Sequence, residues 1–284
     1  EFSAKLPVRI VKNSGRGVSA ARNTGAASAQ SDVLVFIDTD VIVQPGSMRF
    51  IRDVLSENPD IDGVVGVQCR DLRFGNFFSR WKNHWMRFTY RRLSGDVHLF
   101  YTSCAAIRKS AFGIAGGFDE NYRLPSIEDT AFGAVLGESG IRIRPLPSFE
   151  VEHVKSYSLG TVLETDRMRS AALVKFALRN LKRKKHSGTS KTSVPAGFIL
   201  STISMSMFWF LLISGLAGAP LPLYAAWIFF VLTLLMNAPW LVYLVREEGL
   251  SFALSGLLFL PIDVTWVILG MVAGVAGFIR GNQH

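Results

Sequence analysis

The charge in this chain stops abruptly. Residues 1–193 carry 29 Lys and Arg and 19 Asp and Glu, whereas residues 194–284 carry only Arg246, Arg280, Glu247, Glu248 and Asp263. A tail so poor in charge has no stable place in water and must face lipid or other protein. Three apolar stretches run from about Val194 to Ala217, Pro220 to Val245 and Leu250 to Ile279. Each reaches the roughly 20 residues that a bilayer crossing requires, so three spans are expected. The third holds Pro261 and Asp263 near its middle. An intramembrane carboxylate is a functional hypothesis by default, and a kinked or re-entrant segment is the competing account.

The net charge of +9 is local, because Lys155 to Lys191 holds ten basic residues against Glu164 and Asp166. No nucleic-acid-binding motif accompanies it, and nucleic acid is not expected as a partner. A basic stripe beside apolar spans is better explained by anionic headgroups, at about 1 kcal/mol per Lys or Arg near the surface. Leu159 to Lys185 reads as an amphipathic helix lying on the bilayer surface. Lys182-Arg183-Lys184-Lys185, against an uncharged Gly218-Ala219-Pro220 loop, places the first part in the cytoplasm of a multi-pass protein. Cys69 and Cys104 lack the spacing of a zinc site or disulfide framework. Glu1 in place of Met, with no signal segment behind it, reads as a fragment or processed product.

Within the charged part, strand and helix patterns alternate. Val8–Val11 reads as a strand, Gly17 to Ala29 as an Ala-rich helix and Val33–Ile37 as a continuous apolar strand. Gln44–Ser47 makes a turn, and Met48, Ile51, Val54 and Leu55 share a helix face that Asn58-Pro59 ends. Val64–Val67 is the next strand. The class is α/β, and a run buried on both faces fits a parallel sheet. Asn76 to Leu93 interleaves Phe77, Phe78, Trp81, Trp85, Phe88 and Tyr90 with Arg80, Lys82, Arg87, Arg91 and Arg92. That helix suits a membrane interface or a ligand cleft, and equally a core-packing helix with a solvated basic face.

The strand Val33–Ile37 ends in Asp38-Thr39-Asp40. Carboxylates at the carboxyl end of a parallel strand sit where open α/β sheets bind ligands. Two of them can hold Mn²⁺ or Mg²⁺ with positions left for diphosphate oxygens, and the metal neutralises charge on a departing nucleoside diphosphate. An acidic turn after a strand is commonplace, so the tripeptide takes its meaning from its surroundings. Upstream lie Asn13-Ser14-Gly15-Arg16-Gly17 and Ala21-Arg22-Asn23-Thr24-Gly25; downstream lie Gly116-Gly117-Phe118-Asp119-Glu120 and Glu128-Asp129. In this order the segments resemble the family-two glycosyltransferases of GT-A fold, over about Val8 to His153.

The resemblance implies a nucleoside-diphosphate sugar as donor. Asp38 and Asp40 resemble the metal and diphosphate element, and Arg22, followed by Asn23, the basic segment near the nucleotide. Asp129, with Glu128 beside it, matches the general base of inverting members. Ser103-Cys104-Ala105-Ala106 resembles the segment that lets the donor sugar approach the backbone, with Cys104 as small packing or a thiol. His153 stands where some GT-A enzymes place a metal-binding His, or is structural. The plainer readings stay open: Ser126 and Asp129 have capping-box spacing, and Gly116-Gly117 makes a simple turn with Phe118 as a core anchor.

Two departures from the family shape the expectation. Nothing before Val8 supplies the strand-helix-strand unit that carries the nucleoside pocket, and Thr165 to Arg169 replaces the Q-x-x-R-W signature of processive synthases. The expected architecture is a GT-A (Rossmann-like, mostly parallel sheet) domain lacking its first βαβ unit, followed by a transmembrane helical region. The expected boundaries are 1–155 for the partial transferase domain, 156–193 for a basic juxtamembrane helix and linker, and 194–284 for the membrane region. The expected reaction is inverting transfer of one sugar to a hydroxyl of a lipid-linked or membrane-proximal acceptor at the lipid bilayer. The alternatives are a polyprenyl-phosphate glycosyl transferase and a non-catalytic membrane scaffold.

Overall fold

The computed structural model describes residues 8–13, 15–122, 127–180, 193–218 and 223–281. Its first part runs α1 (Val18–Ser28), β1 (Val33–Phe36), β2 (Val41–Val43), α2 (Ser47–Glu57), β3 (Gly63–Gln68), α3 (Phe77–Arg91), β4 (Ala105–Arg108), α4 (Lys109–Ile114), α5 (Glu128–Glu138) and β5 (Ile143–His153). The strands form one sheet in the order β1-β4-β3-β5-β2. Only β3 and β5 pair in parallel, while β1 with β4, β3 with β4 and β2 with β5 are antiparallel. The described sheet is therefore mixed, which corrects the expectation of a mostly parallel one. A continuous apolar run reports burial on both faces, as in β3 with all six residues buried; it does not report strand direction. Residues 8–13 belong to no strand, and Val8 and Ile10 are 53% and 78% exposed. Among the described residues no strand lies beside them to pair with, so extension gains them no ladder hydrogen bonds.

Aromatic side chains fill the space between the sheet and its helices. Phe118 lies 4.3 Å from Phe132 and 5.5 Å from Phe36, centroid to centroid, and is 2% exposed. Phe118 is thus a core anchor, burying an area that makes such residues dominate core energetics.

The second part comprises α6 (Leu159–Asn180), α7 (Ala196–Leu216), α8 (Leu223–Met236), α9 (Ala238–Glu248) and α10 (Leu250–Ile279). Among the described residues, only α7 and α10 are single helices long and apolar enough to cross a membrane. The expected middle span is broken, because α8 and α9 meet at a 49° bend. Pro at the start of α9 explains the break: it lacks an N–H and cannot continue the preceding helix.

These helices are fused to the first part by a second core. Trp240 of α9 is 1% exposed and lies 5.2 Å from Trp81, 5.3 Å from Trp85 and 5.2 Å from Phe88, all on α3. The aromatic face of α3 is therefore packing surface. Its basic face is divided: Lys82 and Arg87 are buried with Asn83 and His84, whereas Arg91 and Arg92 are exposed. Arg87 donates to Gln68 O at 2.7 Å and Glu150 Oε1 at 2.8 Å.

The helix α6 does not lie free on a surface. It packs along α10, where a Cβ on Gly270 would stand 2.1 Å from Ser170 Oγ, and one on Gly274 2.5 Å from Ala171 O. The backbones approach this closely only because both positions are glycine. The opposite face of α10 is exposed and apolar from Leu254 and Leu258 to Leu269 and Val272. Lys182 to Lys185 and Ser126 lie outside the described residues.

Candidate active site

Strand register builds the site. Phe36 faces Ala105 across the antiparallel β1–β4 pair, and continuing that register two residues sets Asp38 opposite Ser103. Ser103 Oγ donates to Asp38 Oδ2 at 2.7 Å. The other oxygen, Oδ1, accepts from Arg22 Nη2 at 3.0 Å, and Arg22 Nη1 donates to Glu128 Oε1 at 2.7 Å. Burial opposes the charge on Arg22, but the hydrogen bonds and charges of Glu128 and Asp38 more than offset it and raise its pKa. Arg22 therefore ties the end of β1 to the start of α5. Asp38 and Glu128 are both occupied in that tie.

A second register places the other acid. Val41 faces His153 across β2 and β5, which brings His153 Nε2 to 3.5 Å from Asp40 Oδ2. Burial pushes the His153 imidazole below its ordinary pKa, against the pull of Asp40. A neutral imidazole is the form that binds metal. Mn²⁺ or Mg²⁺ usually takes one or two protein donors and fills the rest with phosphate oxygens and water, so Asp40 and His153 fit such an ion. Among the described residues no group of three or more His, Cys, Asp and Glu converges on one point. An ion here would therefore depend on its substrate for much of its coordination.

Asp129 sits in the first turn of α5, 8% exposed. Its Oδ1 accepts from the backbone N–H of Thr130 at 2.7 Å. Burial raises its pKa above the usual carboxylate value; the nearby Arg169 pulls the other way. A carboxylate held in this way is a stronger base than one in water. Asp38, Asp40, Ser103, Glu128, Asp129, His153 and Arg22 all line one cavity of about 730 Å³, inside the usual range of about 300–1,000 Å³ for small-molecule sites.

Two expected donor-side residues are elsewhere. Asn23 Nδ2 donates to Phe118 O at 2.9 Å and Phe118 N donates back to Asn23 Oδ1 at 2.8 Å. Asn23 thus clamps the Gly116-Gly117 turn, whose glycines have φ of 77° and 78°, and does not line the cavity. Cys104 is fully buried, and burial raises its thiol pKa, so it is inert packing. Conversely, the cavity wall includes Lys82 of α3 and Arg169 of α6, which in the sequence are merely members of two basic stretches. Lys82 is ion-paired with Asp166. The available signal was helix spacing: Asp166, Arg169 and Ser170 share a face of α6, as Lys82 and Met86 share one of α3.

An acidic strand end and a buried carboxylate thus face one cleft. Residues 1–113 match the model of the family "Glycosyl transferase family 2". The amino-terminal part of this chain is thus similar to that family, and its sheet is mixed.

The chain is similar to N-acetylglucosaminyl-diphospho-decaprenol L-rhamnosyltransferase of Mycobacterium tuberculosis, at 30% identity over 151 residues, 45% of this chain and 49% of the relative. It is also similar to an uncharacterized glycosyltransferase of Haemophilus influenzae, at 25% identity over 134 residues, 46% of this chain and 45% of the relative. The chain thus spans about half the length of these relatives. A solved mannosyltransferase from Pyrobaculum calidifontis, in complex with GDP-Man and Mn²⁺, aligns with a TM-score of 0.49 at 15% identity, over 94% of this chain and 67% of its own.

Proposed function

We propose that this chain carries the transfer site of an inverting, metal-assisted glycosyltransferase, moving one sugar from a nucleoside diphosphate to a hydroxyl on a lipid-linked acceptor. The observation that carries this reading is Asp129: a buried carboxylate of raised pKa, sharing one cavity with Asp38 and Asp40, next to helices that could cross a membrane.

Asp129 takes the proton of the acceptor hydroxyl as its oxygen bonds to the anomeric carbon and the bond to the diphosphate breaks on the opposite face. Proton transfer by a positioned group contributes typically ~10²–10⁴-fold. Asp40 and His153 would hold the divalent cation, which supplies charge neutralisation for the leaving diphosphate. Ser103 and Arg22 fix Asp38, so the wall that receives the donor is set before binding and costs little reorganisation.

The M. tuberculosis relative is named for a diphospho-decaprenol acceptor, and that chemistry is extended here to this chain. The basic cluster at residues 182–185 supports a reading in which the site faces the cytoplasm. A polyprenyl phosphate acceptor is already an anion and needs no base, so the buried Asp129 favours a hydroxyl acceptor over it.

The test supplies the protein, in lipid vesicles, with a nucleoside-diphosphate L-rhamnose and either N-acetylglucosaminyl-diphospho-decaprenol or decaprenyl phosphate, with Mn²⁺ or with a chelator. Transfer to the first acceptor, lost on chelation, is expected. Transfer only to the phosphate would overturn the acceptor assignment. No turnover of any nucleotide sugar, with Asp40→Ala indistinguishable from wild type in the chain's cellular role, would favour a scaffold.

A further inference from the structure

Behind Asp129 lies a second cavity of about 190 Å³. It shares Lys82, Met86, Asp129 and Arg169 with the larger one, so these four side chains stand at the junction of the two. The far walls come from Trp81 and Trp85 of α3, Asp166 of α6, Phe198 at the start of α7, and Asp263 and Val267 of α10. The volume falls below the usual range of about 300–1,000 Å³ for a whole small-molecule ligand and gives room for one sugar ring rather than a nucleotide.

This is not an apolar packing defect. Empty cavities in proteins have apolar linings, whereas this one sets three carboxyl groups and two cations among its apolar side chains and indole rings. Asp263, 7% exposed, accepts at Oδ2 from Trp81 Nε1 at 3.3 Å and neighbours the Asp166 carboxyl group, but its Oδ1 has no donor among the described residues. A buried carboxylate oxygen left unsatisfied is costly and calls for an explanation. A ligand hydroxyl would supply the missing donor.

We propose that the second cavity is the acceptor-sugar subsite of this transferase. One pyranose ring of a lipid-diphosphate-linked acceptor occupies it, packed on the half-buried Trp85, with hydroxyls donating to Asp263 and Asp166 and the reacting hydroxyl turned back toward Asp129. Apolar side chains of α7 and α10 border the cavity, on the side from which an acceptor held in lipid would arrive. The proposal rests on the transferase reading above and adds the residues that would choose the acceptor.

The test uses the full chain in vesicles with N-acetylglucosaminyl-diphospho-decaprenol as probe. Acceptor binding is read without donor as a change in tryptophan fluorescence, and transfer as the KM of each substrate. Val267→Phe, which fills the cavity, should abolish the fluorescence change and raise the acceptor KM about tenfold or more, with donor KM unaltered. The isosteric Asp263→Asn exchanges the carboxyl group for an amide of the same shape, alters its hydrogen bonding and should raise the acceptor KM about tenfold. Wild-type acceptor KM in both variants, or parallel rises in donor KM, would overturn the subsite. If wild type binds the probe and Val267→Phe does not, but neither transfers sugar, the transferase reading fails and the cavity assignment stands. If Val267→Phe transfers sugar as wild type does, the subsite falls and the transferase reading stands. A wild type that neither binds nor transfers overturns both.

Discussion

The two sides of the site are built by different means. On the donor side, strand ends hold Asp38, Ser103, Asp40 and His153 in register, and Arg22 closes the arrangement with hydrogen bonds of 2.7 and 3.0 Å. On the membrane side, α3, α6 and α10 converge with Lys82, Asp166, Arg169 and Asp263, and one carboxylate oxygen is left over. A fully satisfied polar network is rigid and specifies one geometry; a partly satisfied one leaves a costly unpaired atom that a partner would relieve. On the proposed function, recognition is fixed on the donor side and completed by the ligand on the acceptor side.

The heaviest blow to that contrast should come from the joint between the two regions. Trp240→Ala removes the indole on which Trp81, Trp85 and Phe88 pack, at a cost of about 3–5 kcal/mol. Thermal unfolding should then separate into two transitions as the helices loosen from the sheet domain. A single unshifted transition would mean that the second core is not cooperative with the first.

Arg22→Met tests the donor side alone. It removes the guanidinium that joins Glu128 to Asp38, and removing one partner of a largely buried pair costs about 3 kcal/mol or more. Donor affinity should collapse while acceptor binding, read by tryptophan fluorescence, persists. Loss of both would erase the distinction. Asn23→Ala should act on the same side but more weakly, by about 1–3 kcal/mol for the two hydrogen bonds to Phe118. It should lower the melting temperature, with a smaller effect on donor KM than Arg22→Met.

The smallest effect at neutral pH belongs to His84, whose side chain lies between Glu248 Oε1 and Tyr243 OH. Burial and the neighbouring Arg80, Arg87 and Arg70 push its pKa down to about 4. The folded form is therefore neutral where an unfolded His, near 6.5, would be charged, so the unfolded state binds more protons between these values. Stability from this group is present above about 6.5 and is lost as pH falls toward 4. Acid titration of the Trp240 packing, followed by fluorescence, should show this loss in wild type and a shallower one in His84→Gln.

Legibility followed the same divide. That Asp38, Asp40, Ser103, Asp129 and His153 would meet at one cavity was legible, because each belongs to a short linear motif beside a strand end or helix start. Asn23 was misplaced because a motif residue can serve another motif's turn. Lys82, Asp166, Arg169 and Asp263 come from three helices far apart in sequence, and one sequence carries no record of which helix faces meet. The apolar tail was legible as lipid-compatible. Its packing onto α3 and α6 was not, since Trp240 and Gly270 look alike whether they face lipid or protein.

The central claim is that Asp129 is the base at the junction of the two cavities. In vesicles with saturating donor and acceptor, Asp129→Asn should lower transfer by about 10²–10⁴-fold while metal-dependent donor binding stays at the wild-type value. In wild type, whose Asp129 pKa is raised by burial, the acid limb of kcat/KM should lie above the ordinary carboxylate range. Full transfer by Asp129→Asn, with donor binding intact, would contradict the account.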